Sequence, residues 1–474
     1  MITGLSRRSF LKTTLASAGG LAAGCAHSTP ARRPANVPLR VAVIGCGVRG
    51  SSAHIPAACT ERLVAVVDAD EKNIAKALKR AQEADSKTNP SNIRTFTDYR
   101  KLFEVMGKEL DAVIIATPNH HHVLPALLAM QHGLHVYLEK PLAHDISEVR
   151  TLAATARQYH VATQMGNQGH SGESCRRLCE YLWAGAIGNV REVYCWSNRA
   201  NGGIGGRPPS KPVPAGLHWD SWIGPAPYRD FHEDLHPHEW HSWWDFGNSS
   251  LGNMGCHILD AAFWALKLQH PTVIAVEDLA GGSNERYPLG TRLYWDFPAR
   301  GDLAPVRVYW YDGLRSGMKL AGHDLTDDND TVIPAARNRP PLVDELEKKY
   351  KRDLGGNGTI YIGDKGVMYT GTYGDSMRIL PEERHKAFPM PAAVLPRIKG
   401  SHQSDFFRAC RGGAPACSNF EYAAPLAELV LLGNLATRAG VGRKVEWDGP
   451  NMRCTNLPEL NQYLQRPYRE GWRA

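Results

Sequence analysis

A glycine-rich turn that directly follows an apolar segment constrains the fold of this chain more than any other feature. Residues 41–44 (VAVI) are apolar and mostly β-branched, as is typical of a strand buried on both faces of a parallel sheet. The pattern Gly-x-Gly-x-x-Gly follows at Gly45, Gly47 and Gly50. In such a turn the first glycine permits a tight bend, the second lets a ligand approach the backbone, and the third lets the next helix pack closely. The helix N-terminus then points free N–H groups at a bound pyrophosphate.

A second apolar segment, residues 63–67, ends in Asp68, which lies 18 residues beyond Gly50. A carboxylate there can accept hydrogen bonds from both ribose hydroxyls of an adenosine and would repel a 2′-phosphate, and Asp70 adds to that repulsion. An ordinary strand–helix turn with a solvated aspartate is the alternative, but the complete strand–turn–helix–strand context favours a dinucleotide. We therefore predict that the chain binds NAD rather than NADP. The turn residues predicted to contact this cofactor are Gly45, Gly47, Val48, Arg49 and Gly50.

Composition excludes some classes of protein. The chain has 474 residues and a formal net charge of +7, with 43% hydrophobic residues, which is ample material for a core. Lysine and arginine are scattered rather than clustered, so we expect no nucleic-acid partner. The ten cysteines include no Cys-x-x-Cys pair, so neither a zinc ribbon nor a redox dithiol is indicated.

The N-terminus is typical of an export signal. Residues 6–12 (SRRSFLK) have the twin-arginine pattern, and the weakly apolar residues 13–24 that follow are too short to span a membrane. Residues 21–25 (LAAGC) resemble a lipobox, so the mature protein either carries a lipid anchor on Cys25 or results from ordinary cleavage nearby. We predict that residues 1–38 are a signal peptide and linker, and that the protein is periplasmic or a membrane-anchored lipoprotein exported by the twin-arginine route.

Apolar strands alternate with amphipathic helices from residue 39 to residue 165. This pattern predicts an α/β domain of the Rossmann type, with a doubly wound parallel sheet that binds ligands at the carboxyl ends of its strands. Three consecutive histidines, residues 120–122, are one alternative for a metal site, but adjacent side chains point apart, so we predict no metal. The residues after these strands that we expect at the cofactor are Thr117, Asn119, His122, Glu139, Asn167 and Gln168.

The order of three motifs identifies a family resemblance. The glycine turn, residues 117–122 (TPNHHH) and residues 139–141 (EKP) together resemble the Gfo/Idh/MocA oxidoreductase family, and residues 255–260 (GCHILD) are similar to its catalytic-histidine helix. The stretches 358–363 and 468–472 are similar to a secreted, twin-arginine subgroup. The resemblance implies a C-terminal α+β domain, residues 166–474, with an open, mostly antiparallel sheet through which the protein forms a homo-oligomer.

Residues 166–474 also support a second domain on their own. Six segments between residues 190 and 371 have strand-like patterns separated by Gly/Pro turns. Residues 201–215 are rich in glycine and proline and are predicted to be a loop, and the polar residues 322–356 are predicted to be a long surface excursion. Residues 400–411 and 422–439 are predicted helices.

The resemblance implies catalytic roles for Lys140 and His257. An alcohol gives up hydride only as its proton leaves, so an ammonium beside the hydroxyl stabilises the developing alkoxide, and imidazole can take the proton. The alternatives are a surface lysine and a hydrogen-bonded core histidine. Asn253 stands where the family usually has aspartate, one helical turn before the histidine, and we assign it to the catalytic group as well.

Aromatic residues and histidines are dense between residues 218 and 245. Aromatic faces beside polar donors suit pyranose rings, so we predict a carbohydrate-binding wall; an aromatic core patch and a zinc site are the alternatives. The residues predicted to contact substrate are Lys140, His170, His236, Trp240, Trp244 and His257.

Together these features predict an exported NAD-dependent oxidoreductase that acts on a secondary hydroxyl of a sugar or glycoside. Because no free NAD pool exists outside the cytoplasm, the cofactor should stay tightly bound and each hydride should be returned. The alternative is an NAD-dependent glycosidase that oxidises C3 transiently, eliminates the aglycone and reduces the product again. A non-catalytic dinucleotide-binding module is favoured only by Asn253.

Overall fold

The N-terminal domain contains a six-stranded, entirely parallel sheet in the order β3-β2-β1-β4-β5-β6. The computed structural model describes residues 34, 36–314, 319–321, 324–326 and 337–473. The strands are β1 Arg40–Ile44, β2 Arg62–Val67, β3 Arg94–Phe96, β4 Ala112–Ile115, β5 His135–Leu138 and β6 Thr163–Met165. This order is that of a doubly wound dinucleotide-binding sheet, which confirms the predicted fold of the first domain.

Five helices connect these strands: α1 Ile55–Cys59, α2 Glu71–Ala84, α3 Tyr99–Met106, α4 Val123–Gln131 and α5 Ile146–Tyr159. Aspartates fix where three of them begin, because each carboxylate accepts from a free N–H of the first turn. Asp70 accepts from the Lys72 amide, Asp98 from the Arg100 amide, and Asp145 forms a reciprocal capping box with Glu148. These caps place the strand ends and helix starts at one edge of the sheet.

The second domain is built on a nine-stranded sheet in the order β15-β14-β13-β7-β10-β9-β8-β16-β17. Only β7 and β10 pair in parallel, and the other neighbours are antiparallel, as predicted. The strands are β7 Val190–Ser197, β8 Val273–Ala280, β9 Gly290–Phe297, β10 Val306–Gly313, β13 Gly358–Gly363, β14 Gly366–Thr370, β15 Arg378–Leu380, β16 Lys444–Asp448 and β17 Arg453–Cys454; a separate pair consists of β11 Lys319–Ala321 and β12 Asp324–Thr326.

Eight helices accompany this part of the chain: α6 Glu173–Trp183, α7 Trp219–Ile223, α8 Ser249–Ile258, α9 Asp260–Ala265, α10 Pro341–Tyr350, α11 Glu382–Ala387, α12 His402–Cys410 and α13 Phe420–Ala439. Helix α13 is apolar on nearly all sides and packs against α5, α8 and β8. Helix α12 returns to the first domain, where Phe406 packs on Tyr137 of β5 with ring centroids 5.8 Å apart. The C-terminal helices thereby hold the two domains together. No helix in the described ranges combines the length and apolar character of a bilayer span.

The predicted surface excursion at residues 322–356 is wrong in its second half. Helix α10 lies there and buries Val343 and Leu346 against Trp196 and Ile360 of the sheet. These two apolar residues are three positions apart and therefore share one face of the helix, although the surrounding residues are charged. Part of the outer face of the C-terminal sheet is consequently covered by the chain itself.

Residues 217–246 form a small aromatic core. Trp219 stacks on Trp222 with centroids 4.6 Å apart, and Trp243 and Phe246 are fully buried beside them. The segment lies across the ends of β2 and β4, because the His218 amide donates to the Ala69 carbonyl at 2.8 Å. For these four aromatic residues the core alternative holds, and the carbohydrate-binding interpretation does not.

Candidate active site at the carboxyl ends of the Rossmann strands

The glycine turn has the shape that a dinucleotide requires. Gly45 has a φ of +89°, and a Cβ there would lie 2.5 Å from the Ala116 carbonyl group. A Cβ on Gly50 would collide with the Gly45 carbonyl oxygen. A Cβ on Gly47 would meet nothing within 4 Å, so the middle of the turn is open, and Val48 beside it is exposed. The backbone therefore leaves room for a phosphate at the point where the sequence predicts one.

Asp68 is anchored beside this turn. One carboxylate oxygen accepts from the Cys46 amide at 2.7 Å, and the other accepts from the Asp70 amide at 2.9 Å and the Asn73 side chain at 3.2 Å. Burial raises the pKa of Asp68, and these hydrogen bonds oppose that rise. Each carboxylate oxygen can accept two hydrogen bonds, so the oxygen that faces Cys46 still has capacity for a ribose hydroxyl.

Buried polar atoms without partners mark the other end of the cofactor site. Among the described residues, the Thr117 hydroxyl after β4 and the Asn167 side-chain nitrogen after β6 are buried and make no hydrogen bond. Asn119, two residues after Thr117, is also buried. Unpaired buried polar groups are costly, so a ligand with its own donors and acceptors is expected to satisfy them. The residues present thus fit a nicotinamide dinucleotide.

Glu139 contacts Arg49, which in turn contacts Gln168, so three of the predicted site residues form one connected group. Its Oε1 accepts from Arg49 Nε at 2.9 Å and from His54 Nε2 at 2.9 Å, and Arg49 Nη2 donates to Gln168 Oε1 at 3.1 Å. Burial alone would raise the pKa of Glu139, but the His54 hydrogen bond and the charges of His54, Arg49 and Lys140 outweigh it and lower the pKa. The sequence analysis missed His54. Its only signal was a histidine four residues after Gly50, in the turn's own helix.

The ring of His122 has different contacts from those predicted. Its Nδ1 lies 2.7 Å from the Pro141 carbonyl and its Nε2 lies 3.0 Å from the Thr117 carbonyl. Burial lowers the pKa of His122 and favours the neutral ring, so its single N–H donates to one of these two backbone oxygens while the other nitrogen faces the second. His122 ties the loop after β4 to the loop after β5, and the predicted direct contact with the cofactor is corrected to a positioning role.

Lys140 and Asn253 are in direct contact. The Lys140 ammonium donates to the Asn253 carbonyl at 2.8 Å and to Asn253 Oδ1 at 3.1 Å. The side-chain nitrogen of Asn253, Nδ2, donates to Asn201 Oδ1 at 2.9 Å, which fixes the orientation of the side-chain amide. Burial lowers the pKa of Lys140, and Glu139 opposes that shift. The amide oxygen thus contacts the ammonium without neutralising its charge.

His257 lies one turn further along α8 and is buried. Its Nδ1 has no hydrogen-bond partner among the described residues, and its ring meets the edge of Tyr373 at 5.2 Å. Burial and then the charge of Lys140 lower the pKa of His257 to about 3, so its imidazole is neutral. Tyr373, which reaches this site from the loop after β14, was missed because nothing near it in sequence has a recognisable pattern.

Besides Lys140 and His257, one further predicted substrate residue, Trp240, lies near this site. Trp240 stacks on His241 at 3.6 Å, and burial followed by the charge of Lys140 lowers the pKa of His241. His241 is therefore within electrostatic reach of Lys140, and its Nδ1 is buried without a partner in the described structure. The sequence analysis counted His241 only as part of the aromatic- and histidine-rich stretch 218–245, with a carbohydrate-binding wall as the prediction and a zinc site as an alternative.

Three predicted substrate residues are engaged elsewhere. His236 hydrogen-bonds Asp70 at 3.1 Å, near the predicted ribose site. His170 donates to Asp260 at 3.0 Å and is buried between aromatic rings. Trp244 packs under the Arg438 guanidinium at 3.8 Å and lines a separate cavity of about 290 Å³. Their placement beside the reacting hydroxyl is corrected, because proximity in sequence did not place them on the same side of the fold.

Metal chemistry finds no support in the described ranges, where no group of three or more His, Cys, Asp or Glu side chains could hold an ion. The cysteines of the described residues are all free thiols.

The fold and the site together define a two-domain oxidoreductase with an NAD-binding Rossmann domain. Residues 39–167 match the model of an oxidoreductase family described as an NAD-binding Rossmann fold, and residues 194–285 match the model of that family's C-terminal alpha/beta domain. Both matched segments are thus similar to the Gfo/Idh/MocA oxidoreductase family.

Curated relatives within this family include proteins that act on sugars. The chain is 29% identical over 166 residues to the D-glucoside 3-dehydrogenase of Escherichia coli K12, covering 34% of this chain and 43% of the relative. It is 34% identical over 125 residues to the glycosyl hydrolase family 109 protein 1 of Bacteroides fragilis YCH46, covering 25% of this chain and 26% of the relative. The matched segments thus span less than half the length of either relative.

Solved structures show the same fold across both domains. The WlbA dehydrogenase from Chromobacterium violaceum, in complex with NADH and UDP-GlcNAcA, aligns with a TM-score of 0.57 at 14% identity over 88% of this chain and 98% of that chain. The aldose-aldose oxidoreductase from Caulobacter crescentus aligns with a TM-score of 0.54 at 17% identity over 86% of this chain and 100% of that chain.

Proposed function

We propose that this chain is an exported oxidoreductase that uses a tightly bound NAD to oxidise a secondary hydroxyl of a sugar or glycoside. The observation that carries this proposal is the contact between the Lys140 ammonium and Asn253, one helical turn from the neutral imidazole of His257. A cation and a base thus converge beyond the end of β5. They do so at the edge of the sheet where the glycine turn and Asp68 fit the cofactor.

Lys140 and His257 have different roles at the substrate hydroxyl. Asn253 occupies two of the donor directions of the Lys140 ammonium, and a third remains for the substrate oxygen. That hydrogen bond favours the developing alkoxide, while His257 accepts the hydroxyl proton. Bound NAD supplies the acceptor for the hydride. Asn253 orients the ammonium, Glu139 holds Arg49 beside the site, and Arg49 in turn donates to Gln168.

Cofactor choice and location are part of the same proposal. Asp68 and Asp70 favour NAD over NADP, because a 2′-phosphate would meet two carboxylates. Residues 6–12, with Cys25 as a possible lipid site, lie outside the described residues, and their sequence pattern alone supports twin-arginine export to the periplasm or to a membrane-anchored form. This route carries folded proteins, which suits an enzyme that must acquire its cofactor before export.

Protein recovered from the exported fraction should carry NAD that dialysis does not remove. Denaturation should release NAD, not NADP, in an amount close to that of the chain, measured by chromatography and mass spectrometry. A variant with Arg7→Lys and Arg8→Lys should instead leave folded, cofactor-loaded precursor in the cytoplasm. Release of NADP would overturn the cofactor assignment, and normal export of the double variant would overturn the route.

A panel of glycosides tests the reaction. A glycoside substrate alone should reduce the bound NAD, seen as absorbance of reduced nicotinamide, and a second sugar should restore the oxidised form. The similarity to a glycosyl hydrolase family 109 protein favours the second candidate, the glycosidase that oxidises C3 transiently. That reaction would release the aglycone without lasting reduction of NAD, so product masses separate the two. No spectral change and no product across the panel would contradict both.

We further propose that the protein is a homo-oligomer through its C-terminal sheet. Tyr194 and Tyr309 stack at 4.6 Å on the face where α10 lies, and both remain half-buried. This uncovered aromatic area is the surface that a second copy would cover. A monomer in sedimentation velocity would contradict it. Scattered charges give no support for a nucleic-acid partner.

A further inference from the structure

The surroundings of Lys140 carry more positive than negative charge. In the part of the chain that the structure describes, the charges that most affect the pKa values of Lys140, His241 and His257 include a single carboxylate, that of Glu139. Glu139 is already bound to Arg49 and His54. The direct partner of the Lys140 ammonium is the neutral amide of Asn253. Among the charges that act most strongly on these three groups, no carboxylate besides Glu139 balances the cations.

Arg199 is a further cation near Lys140, and a chain of hydrogen bonds connects its backbone carbonyl to Lys140. Ser250 Oγ donates to the Arg199 carbonyl at 2.9 Å and accepts from the Asn201 amide at 2.6 Å. Asn201 Oδ1 in turn accepts from the Asn253 side chain at 2.9 Å, and Asn253 contacts Lys140. The segment that carries Arg199 is thus fixed against the same helix as Asn253. The Arg199 charge lowers the pKa values of Lys140 and His241, so it lies within electrostatic reach of both.

The Arg199 side chain is exposed and takes part in no ion pair between described residues. Two arginines on the C-terminal sheet differ in this respect: Arg292 pairs with Glu277 and Arg307 pairs with Asp296. A guanidinium left unpaired beside a sugar pocket is a suitable partner for a carboxylate, which it can bind through two parallel hydrogen bonds. In the proposed reaction Lys140 binds the reacting hydroxyl, so Arg199 alone is left to bind an anionic group of the substrate. One guanidinium matches one negative charge.

We propose that the substrate is an acidic sugar, a uronic acid or a glycoside of one, whose carboxylate binds Arg199 while a ring hydroxyl contacts Lys140. This inference rests on the proposed function, because it takes the pocket of Lys140 and His257 to be the sugar site. It goes further in naming the substrate class and a residue that determines specificity.

Matched ligand pairs test the inference on the NAD-loaded protein. Methyl β-D-glucuronide and methyl β-D-glucoside differ only at C6, and the corresponding galacto pair changes the ring configuration. Calorimetry gives the affinity of each, and nicotinamide absorbance gives kcat/KM. We expect each uronide to bind at least about tenfold more tightly than its neutral partner, with a preference that falls as salt rises.

Arg199→Gln should remove most of this preference by raising KM, with little change in kcat, because the contact is equally strong in ground state and transition state. Arg191→Gln is the matched control, since Arg191 is exposed near the opposite end of β7 and forms no ion pair with a described residue. It should leave both affinities unchanged.

The outcomes separate this inference from the proposed function. Uronide preference lost in Arg199→Gln without reduction of NAD would support the acidic ligand and overturn the oxidoreductase role. Equal turnover of neutral and acidic glycosides, or a preference that survives Arg199→Gln, would overturn the inference and leave the function standing. Binding of neither member of either pair, or tighter binding of a 6-phosphorylated glucoside than of the uronide, would also count against a carboxylate.

Discussion

Lys140→Met should lower kcat by about a hundred- to ten-thousandfold, the usual cost of removing a positioned acid or base. Methionine has similar length and is apolar, so it fills the space but offers the alkoxide no charge and no hydrogen bond. The variant should retain its bound NAD, because the cofactor contacts lie on the glycine turn, Asp68 and the residues after β4 and β6. Steady-state kinetics with a glycoside and cofactor release on denaturation measure the two quantities.

Lys348→Met is the matched control for this prediction. Lys348 is exposed on α10, which packs on the sheet away from the Rossmann domain, so activity and stability should not change. A loss below about tenfold in Lys140→Met would refute its assigned role. A variant that had lost both activity and NAD would indicate a structural role instead.

Local sequence signals were sufficient for the first domain. The apolar strands before Gly45 and Asp68 lie where predicted, and helices such as α5, Ile146–Tyr159, alternate with the strands as the pattern indicated. Each of these signals lies within a few residues of the element it specifies: a buried strand, a capping aspartate or a glycine turn. Helix α10 was missed because only Val343 and Leu346 are fully buried within a charged stretch, and its stability comes from the sheet beneath it.

The site could be predicted only where a motif contains the whole interaction. The glycine turn contacts Asp68 through the Cys46 amide, and the roles assigned to Lys140 and His257 stay predictions. The contacts of His54 with Glu139 and of His257 with Tyr373 join residues far apart in sequence, and no local pattern records them. The prediction from the histidine- and tryptophan-rich segment failed for the converse reason. Residues that are neighbours within this segment lie in three different places: a small aromatic core, the ribose end of the cofactor site and a separate cavity.

Glu139→Gln should lower the free energy of unfolding at pH 7 by about 1.5–3 kcal/mol, the typical value of a hydrogen bond to a charged group. The Glu139 side chain is 7% exposed and accepts from both Arg49 and His54. The loss should be smaller than the roughly 3–5 kcal/mol of a fully buried pair, because Arg49 is 39% exposed and can reach water. Urea unfolding of the NAD-free protein measures it.

The pH dependence and a matched control identify the cause. Because the pKa of Glu139 is lowered on folding, its stabilisation is complete above the unfolded pKa of about 4.3 and is lost as the pH falls toward the folded value. The difference between wild type and Glu139→Gln should therefore be constant from pH 8 to pH 5, about that of pH 7, and shrink below roughly pH 4. Glu421 pairs with Arg157 with both side chains 59% exposed, so Glu421→Gln should cost only about 0–1 kcal/mol. Equal losses in the two variants would show that the carboxylate which joins Arg49, His54 and Lys140 is no more than a surface ion pair, and the electrostatic frame of the site would need another origin.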